Sequence, residues 1–191
     1  MIIIKEYNRE RARAYAERWA TDRNPLFANY ENIGGNCTNF VSQCVYAGSC
    51  QMNFTPVLGW YFLSDEARTA SWTGVEFFYN FIVSNNSLGP FGREILAYQA
   101  MLGDVIQLGR DGEGYYHSLL VVGFEDDTYL VAAQSNDAFM RRLDSYEYDY
   151  ARFIHIDGVR VDVPQMTDCF DPLYNGEAIV IDGEVRAVGG R

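Results

Sequence analysis

Gly34-Gly35-Asn36-Cys37-Thr38-Asn39-Phe40-Val41-Ser42-Gln43 joins a glycine pair to the start of an amphipathic helix. The glycines make a flexible approach. Asn36 is of the residue type that caps a helix N-terminus by accepting an orphan backbone N–H. Phe40, Val41, Cys44 and Val45 then recur at helical spacing, and Gly48 is a natural stop. Cys37 therefore falls in the first turn of a helix, where the backbone dipole favours negative charge and where reactive thiolates are commonly found. Cys44, on the apolar stripe, reads as a small core residue. Cys37, flanked by Asn36 and Thr38, reads as a candidate nucleophile.

Upstream, Asn8 can cap a helix over residues 9 to 20, with Ala12, Tyr15, Ala16 and Trp19 on one face and Pro25 closing the region. Downstream, residues 49 to 72 are aromatic and irregular and are expected to fold over the core and wall a cleft. Thr73-Gly74-Val75-Glu76 has the pattern of a capping box. It starts a helix with Val75, Phe78, Tyr79 and Ile82 on one face, ending near Asn85-Asn86.

The period then changes from helical to alternating. Val105 to Leu108, His117 to Phe124, Thr128 to Ala133 and Ala151 to Ile156 read as strands, with a charged glycine-rich loop over 109 to 114. Ala178 to Ile181 and Glu184 to Val188 flank Asp182-Gly183, a hairpin signal. Helices first and antiparallel strands after make an α+β chain. One domain over 1–157, with a β-rich extension over 158–191 packed on it, is the expected organisation.

A thiolate nucleophile needs a base, and the chain has two histidines. His117 begins a strand just after a flexible loop, where it can face a cleft. His155, between Ile154 and Ile156, reads as a packed or hydrogen-bonded residue. With Asp126-Asp127 as the turn, cross-strand pairing sets His117 near Asn136 with Gln134 diagonal to it, both on the His117 face. Asp137 points the other way if the strand continues that far. Gln134 or Asn136 would then orient the imidazole, as in Cys-His-Asn arrangements.

The whole-chain totals narrow the partners. The 191 residues carry a formal net charge of −11, which argues against nucleic acid and anionic membrane surfaces. Four cysteines, at 37, 44, 50 and 169, form neither a disulfide framework nor a zinc pattern, and no cofactor or metal is expected. Met1 to Lys5 lacks the basic and apolar regions of a signal peptide, and no stretch approaches a membrane span. The expectation is a chain that is cytoplasmic as given, or exported by another route.

The segments Tyr7 to Ala20, Ile33 to Cys44, Ser71 to Gly74, Gly103 to Gln107, Tyr116 to Leu119 and Arg152 to Ile156 resemble, in order, the Putative amidase domain family of Gram-positive bacteria. That family is similar in turn to the NlpC/P60 and CHAP papain-like cysteine peptidases. The resemblance covers about residues 7 to 156. It implies a papain-like fold, N-terminal helices packed on an antiparallel sheet, with Cys37 at the family's nucleophile position and His117 at its base. It also implies a peptide or amide substrate, such as a peptidoglycan fragment. Two positions depart from the family pattern. Asn36 stands where Asp is usual, and Gln134 stands where His is usual, so Gln134 is preferred over Asn136 and Asp137 as the orienting residue. The other expectations for the same residues are an acyltransferase using the same Cys-His pair, or a binding module whose aromatic loop (Trp60, Tyr61, Trp72) grips a ligand.

Overall fold

The computed structural model describes residues 1–163, 168–181 and 184–186. Its elements, in chain order, are β1 (Ile2–Lys5), α1 (Arg9–Trp19), α2 (Cys37–Ser49), α3 (Ala70–Thr73), α4 (Val75–Ser84), β2 (Gly89–Ile95), β3 (Val105–Arg110), β4 (Gly114–Glu125), β5 (Thr128–Ala133), β6 (Ala138–Arg142), β7 (Tyr150–Asp162), α5 (Phe170–Tyr174), β8 (Ile179–Ile181) and β9 (Glu184–Arg186). The α+β reading holds. One antiparallel sheet runs in the order β1-β7-β3-β4-β5-β6, and β2 also pairs with β7. The long strand β7 crosses the boundary expected at 157, and its Val159–Asp162 half pairs with β1.

Helix α2 is the centre of the molecule, and all thirteen of its residues are buried. Phe40, Val41, Cys44 and Val45 enter a core shared with α1, α4 and one face of the sheet, where Val105, Leu120, Val122, Ala132 and Ile154 lie. Each large apolar side chain buried there contributes about 1.5–3 kcal/mol. A smaller cluster, with Ile106, Leu108, Leu119, Val121 and Val131, occupies the other face.

Asn8 caps α1 as the sequence suggests, its Oδ1 accepting from Arg11 N at 3.0 Å. Gly48 does not stop α2. A Cβ there would meet the Tyr7 ring at 2.4 Å and Asn8 O at 2.7 Å, so glycine serves close packing, and the helix ends as Cys50 turns left-handed at φ 51°. The capping box at Thr73 does not form either. Thr73 closes the short helix α3, and Gly74 takes the N-cap of α4.

The aromatic stretch 49 to 72 lies over α2. Trp60 and Trp72 are fully buried. Their indole N–H groups donate to Ser42 Oγ at 3.1 Å and to Asn39 Oδ1 at 2.9 Å. Strand β2, strand β1 and strand β6 have no counterpart in the sequence reading. Residues 168–181 pack on the same core through Cys169, Leu173, Ile179, Val180 and Ile181. The Asp182-Gly183 turn lies outside the described residues. Among those residues no helix is long and apolar enough to cross a membrane.

Candidate active site

Cys37 occupies the first position of α2, and its backbone N–H, like the others of a first turn, has no intrahelical acceptor. Asn36 stands at the N-cap but makes no side-chain cap. Its Oδ1 accepts from Tyr30 N at 3.1 Å and from Asn39 Nδ2 at 2.8 Å, and its Nδ2 donates to Oε1 of Gln134. Its backbone N–H donates to Ser135 Oγ at 2.9 Å. Asn36 is thus a buried junction between the approach to α2, the helix itself and the end of β5.

On the other side of Cys37, Thr38 reaches the sheet. Its hydroxyl lies 2.9 Å from Ser118 Oγ, which accepts from Gln107 Nε2 at 3.1 Å. Gln107 Oε1 in turn accepts from Arg152 Nε at 2.7 Å. Gln107 sits directly across from both Ser118 and Arg152 in the sheet. This buried polar ladder fixes the first turn of α2 against β4, β3 and β7, and buried polar groups so paired specify one arrangement.

Cys37 and His117 line one cleft of about 470 Å³, which Gly34 and Gly35 border on the helix side. Asn136 also lines it. The wall beyond His117 comes from Arg110 and Tyr116, and from Arg141, Tyr146 and Glu147 around the end of β6. The His117 ring lies between two tyrosines, 6.1 Å from the Tyr116 ring and 6.0 Å from that of Tyr146. Burial, and after it the charge of Arg141, lowers the His117 pKa from 6.5 to about 4. The imidazole is therefore neutral at pH 7. Among the described residues no protein hydrogen bond reaches its ring.

Gln134 is not on His117. Its Nε2 donates to the carbonyls of Trp19 at 2.7 Å and Asp22 at 2.8 Å, and its Oε1 is taken by Asn36. The cause is a bulge in β4. The register from Glu125↔Thr128 to Gly123↔Leu130 slips by one at Val122, so that Val121 faces Val131 and Leu120 faces Ala132. A one-residue slip exchanges the two faces. It moves Gln134 from the expected His117 face to the face of Ser118 and α2. The turn that follows leaves the ladder through Ser135 and Asn136, both left-handed at φ 44° and 61°. Asn136 comes to the cleft, whereas Asp137 is paired with Arg23 at 2.8 Å.

His155 is held elsewhere. Its Nδ1 lies 2.8 Å from Asp104 Oδ2, and Arg9 donates to Asp104 Oδ1 at 2.7 Å and to the Ile156 carbonyl at 2.8 Å. This cluster pins the start of α1 to β7, as the packed reading of His155 expects. Cys44 is fully buried, and burial pushes its thiol well up. Cys50 and Cys169 form a disulfide, with Cα atoms 5.4 Å apart, a single bridge in a chain whose cysteine spacing makes no disulfide framework. It ties the end of α2 to the segment before α5. A lone pair of cysteines 119 residues apart carries no spacing signal from which it could have been read. Tyr146, Arg141 and Arg110 were also missed, because nothing local in the sequence marks residues that meet only through the sheet.

No solved structure matches this chain. It is 35% identical over 141 residues to "Uncharacterized protein YhbB" of Bacillus subtilis (strain 168), an overlap of 71% of this chain and 44% of that protein. The chain thus spans less than half the length of that curated relative. The family described as "Putative amidase domain" matches residues 6–156, which hold the whole of α2, strands β2 to β6, β7 as far as Ile156 and every residue of the cleft. The chain belongs to that amidase family.

Proposed function

We propose that this chain is a cysteine-dependent amide hydrolase on a papain-like fold, with Cys37 as nucleophile and His117 as its base. The observation that carries the reading is that a helix-start cysteine and a neutral imidazole from β4 line one cleft. His117 takes the thiol proton as Sγ attacks the amide carbonyl. The backbone N–H of Cys37 helps to hold the oxyanion. The histidine then gives the proton to the leaving amine, and water, activated by the same imidazole, hydrolyses the thioester. Asn136, which lines the same cleft, is assigned to steady the imidazole. Gln134 acts one step away, by holding Asn36 and so the first turn of α2.

The burial of Trp60 and Trp72 counts against a binding module with an aromatic grip. The substrate class proposed is a peptide or amide of the peptidoglycan type, on the strength of the family. The Cys50–Cys169 bond supports an oxidising compartment, because disulfides persist there and are rare in the cytosol. The test is digestion of purified peptidoglycan and short muropeptides by wild type and Cys37→Ala, read by mass spectrometry. Products that gain one water at an amide bond, present only with wild type, support the reading. Identical product lists overturn it.

A further inference from the structure

The chain is strongly acidic, with 26 Asp and Glu against 15 Lys and Arg. Nine arginines are accordingly matched with carboxylates, among them Arg9, Arg23, Arg142 and Arg152. Arg110 and Arg141 have no carboxylate partner among the described residues, and both line the cleft of Cys37 and His117. Each is stacked on one of the two tyrosines that flank His117. The Arg110 guanidinium lies 4.6 Å from the Tyr116 ring centre, and that of Arg141 lies 3.9 Å from the Tyr146 ring centre. Arg141 uses Nε and one terminal nitrogen on Ser145, at 2.9 and 3.2 Å.

The Tyr146 hydroxyl, in the same wall, is buried beside Arg141, whose charge and side-chain hydrogen bond lower its pKa against the rise that burial causes. The one acidic side chain in the wall, Glu147, is exposed and is not paired with either arginine. Two guanidinium groups without a carboxylate partner, both in the wall beside one imidazole, are donors suited to an anionic group. Guanidinium binds carboxylate in fixed geometry and with charge assistance.

We propose that the cleft selects an acidic substrate, a peptide amide with a free carboxylate within one or two residues of the scissile bond, held by Arg141 and Arg110. This rests on the hydrolase reading above and names its substrate class. The tyrosine rings that carry the two guanidinium groups lie 6.1 and 6.0 Å from the His117 ring, and the Arg141 charge acts on His117 directly, so both cations stand in the wall that the scissile bond must face. Against the repulsion of a net charge of −11, this local positive wall is what would admit an anionic ligand.

The test uses acetylated alanine peptides with a single Glu, or in its place Gln, on either side of a central amide. Binding to the full chain is measured by calorimetry and turnover by mass spectrometry. The proposal expects the Glu peptide of one pair to be favoured over its Gln twin by about 10- to 100-fold in Kd, the range for a charge-assisted pair. In Arg141→Gln the ratio should fall towards one, and Arg141→Glu should favour a Lys peptide over the Glu peptide, with folding of each variant checked by melting. Equal Kd values across both Glu and Gln pairs with wild type would overturn the proposal. A Glu preference that survives in both arginine variants would also overturn it. A Glu preference in Kd without turnover would uphold the carboxylate site and overturn the hydrolase reading.

Discussion

The side-chain amide of Asn36 donates to Oε1 of Gln134, 98 residues further along the chain, and this bond holds the residue before Cys37 to the end of β5. The partner's Nε2 is already committed to the Trp19 and Asp22 carbonyls, so Gln134 cannot turn to offer a donor instead. Gln134→Ala should therefore leave a buried amide unpaired and lower stability by about 1–3 kcal/mol. Activity should fall through the position of α2 rather than through the acidity of His117. A pH profile with the same acid limb but a lower plateau is the expected measurement.

Asn36 and Gln134, the two positions that the resemblance implies are departures, are in direct contact, and they should be coupled. Asn36→Asp alone faces a carboxylate with the Gln134 oxygen and should destabilise. Adding Gln134→His restores a donor opposite the new acceptor. A double-mutant cycle by denaturant melting should show a favourable coupling of about 0.5–3 kcal/mol. Additive effects would mean that the contact carries no energy.

His117 sets the pH response. Its folded pKa, about 4, lies below the unfolded value of 6.5, so the unfolded chain binds the extra proton between those limits. Stability from the neutral imidazole is fully present above about pH 6.5 and is lost as pH falls towards about 4. His117→Gln should remove this part of the pH dependence of the melting temperature while leaving the carboxylate part. In wild type, kcat/KM should have its acid limb near pH 4 rather than 6.5.

The ladder from Thr38 to Arg152 should be sensitive in its middle. Gln107→Leu removes the acceptor 2.7 Å from the Arg152 guanidinium, whose side chain is only 6% exposed, though Glu76 remains 3.1 Å away. The expected loss is about 1.5–3 kcal/mol, the range for a hydrogen bond to a charged group. Thermal unfolding of this variant beside Arg152→Met checks it. A guanidinium left in the core should cost more than its removal.

The disulfide should matter to stability and not to chemistry. Reduction, or the pair Cys50→Ala and Cys169→Ala, should lower stability by about 2–5 kcal/mol. Initial rates well below the melting temperature should hold. Melting with and without reductant separates the two, and a reductant effect equal in the double variant would contradict the assignment.

Much of this site was legible because it rests on local pattern. The helix of Cys37 and the buried face of α1 follow from spacing alone, as does the strand of His117, although it begins at Gly114 and not at His117. The position of Gln134 was not, because it depends on one extra residue at Val122, and a bulge leaves no mark in an apolar run such as Leu119 to Val122. Strand β1 escaped notice because its Ile2 and Ile4 are exposed, 56% and 66%, so no buried alternation announces it. Strand β2 contains Gly89, Pro90 and Gly92, residues that ordinarily argue against a strand. The expected ligand-gripping tryptophans proved to be core, since what they grip is α2, and that contact exists only after folding.

The central claim is that Cys37 and His117 act as one catalytic unit. The most direct measurement is kcat/KM on a single amide substrate for Cys37→Ala, His117→Ala and the double variant, each shown to be folded by melting. Residues that share one proton transfer are strongly non-additive. Each single change should remove most of the activity, and the double should be little worse than either. Losses that add in the double variant, or a folded Cys37→Ala that still hydrolyses the amide, would contradict it.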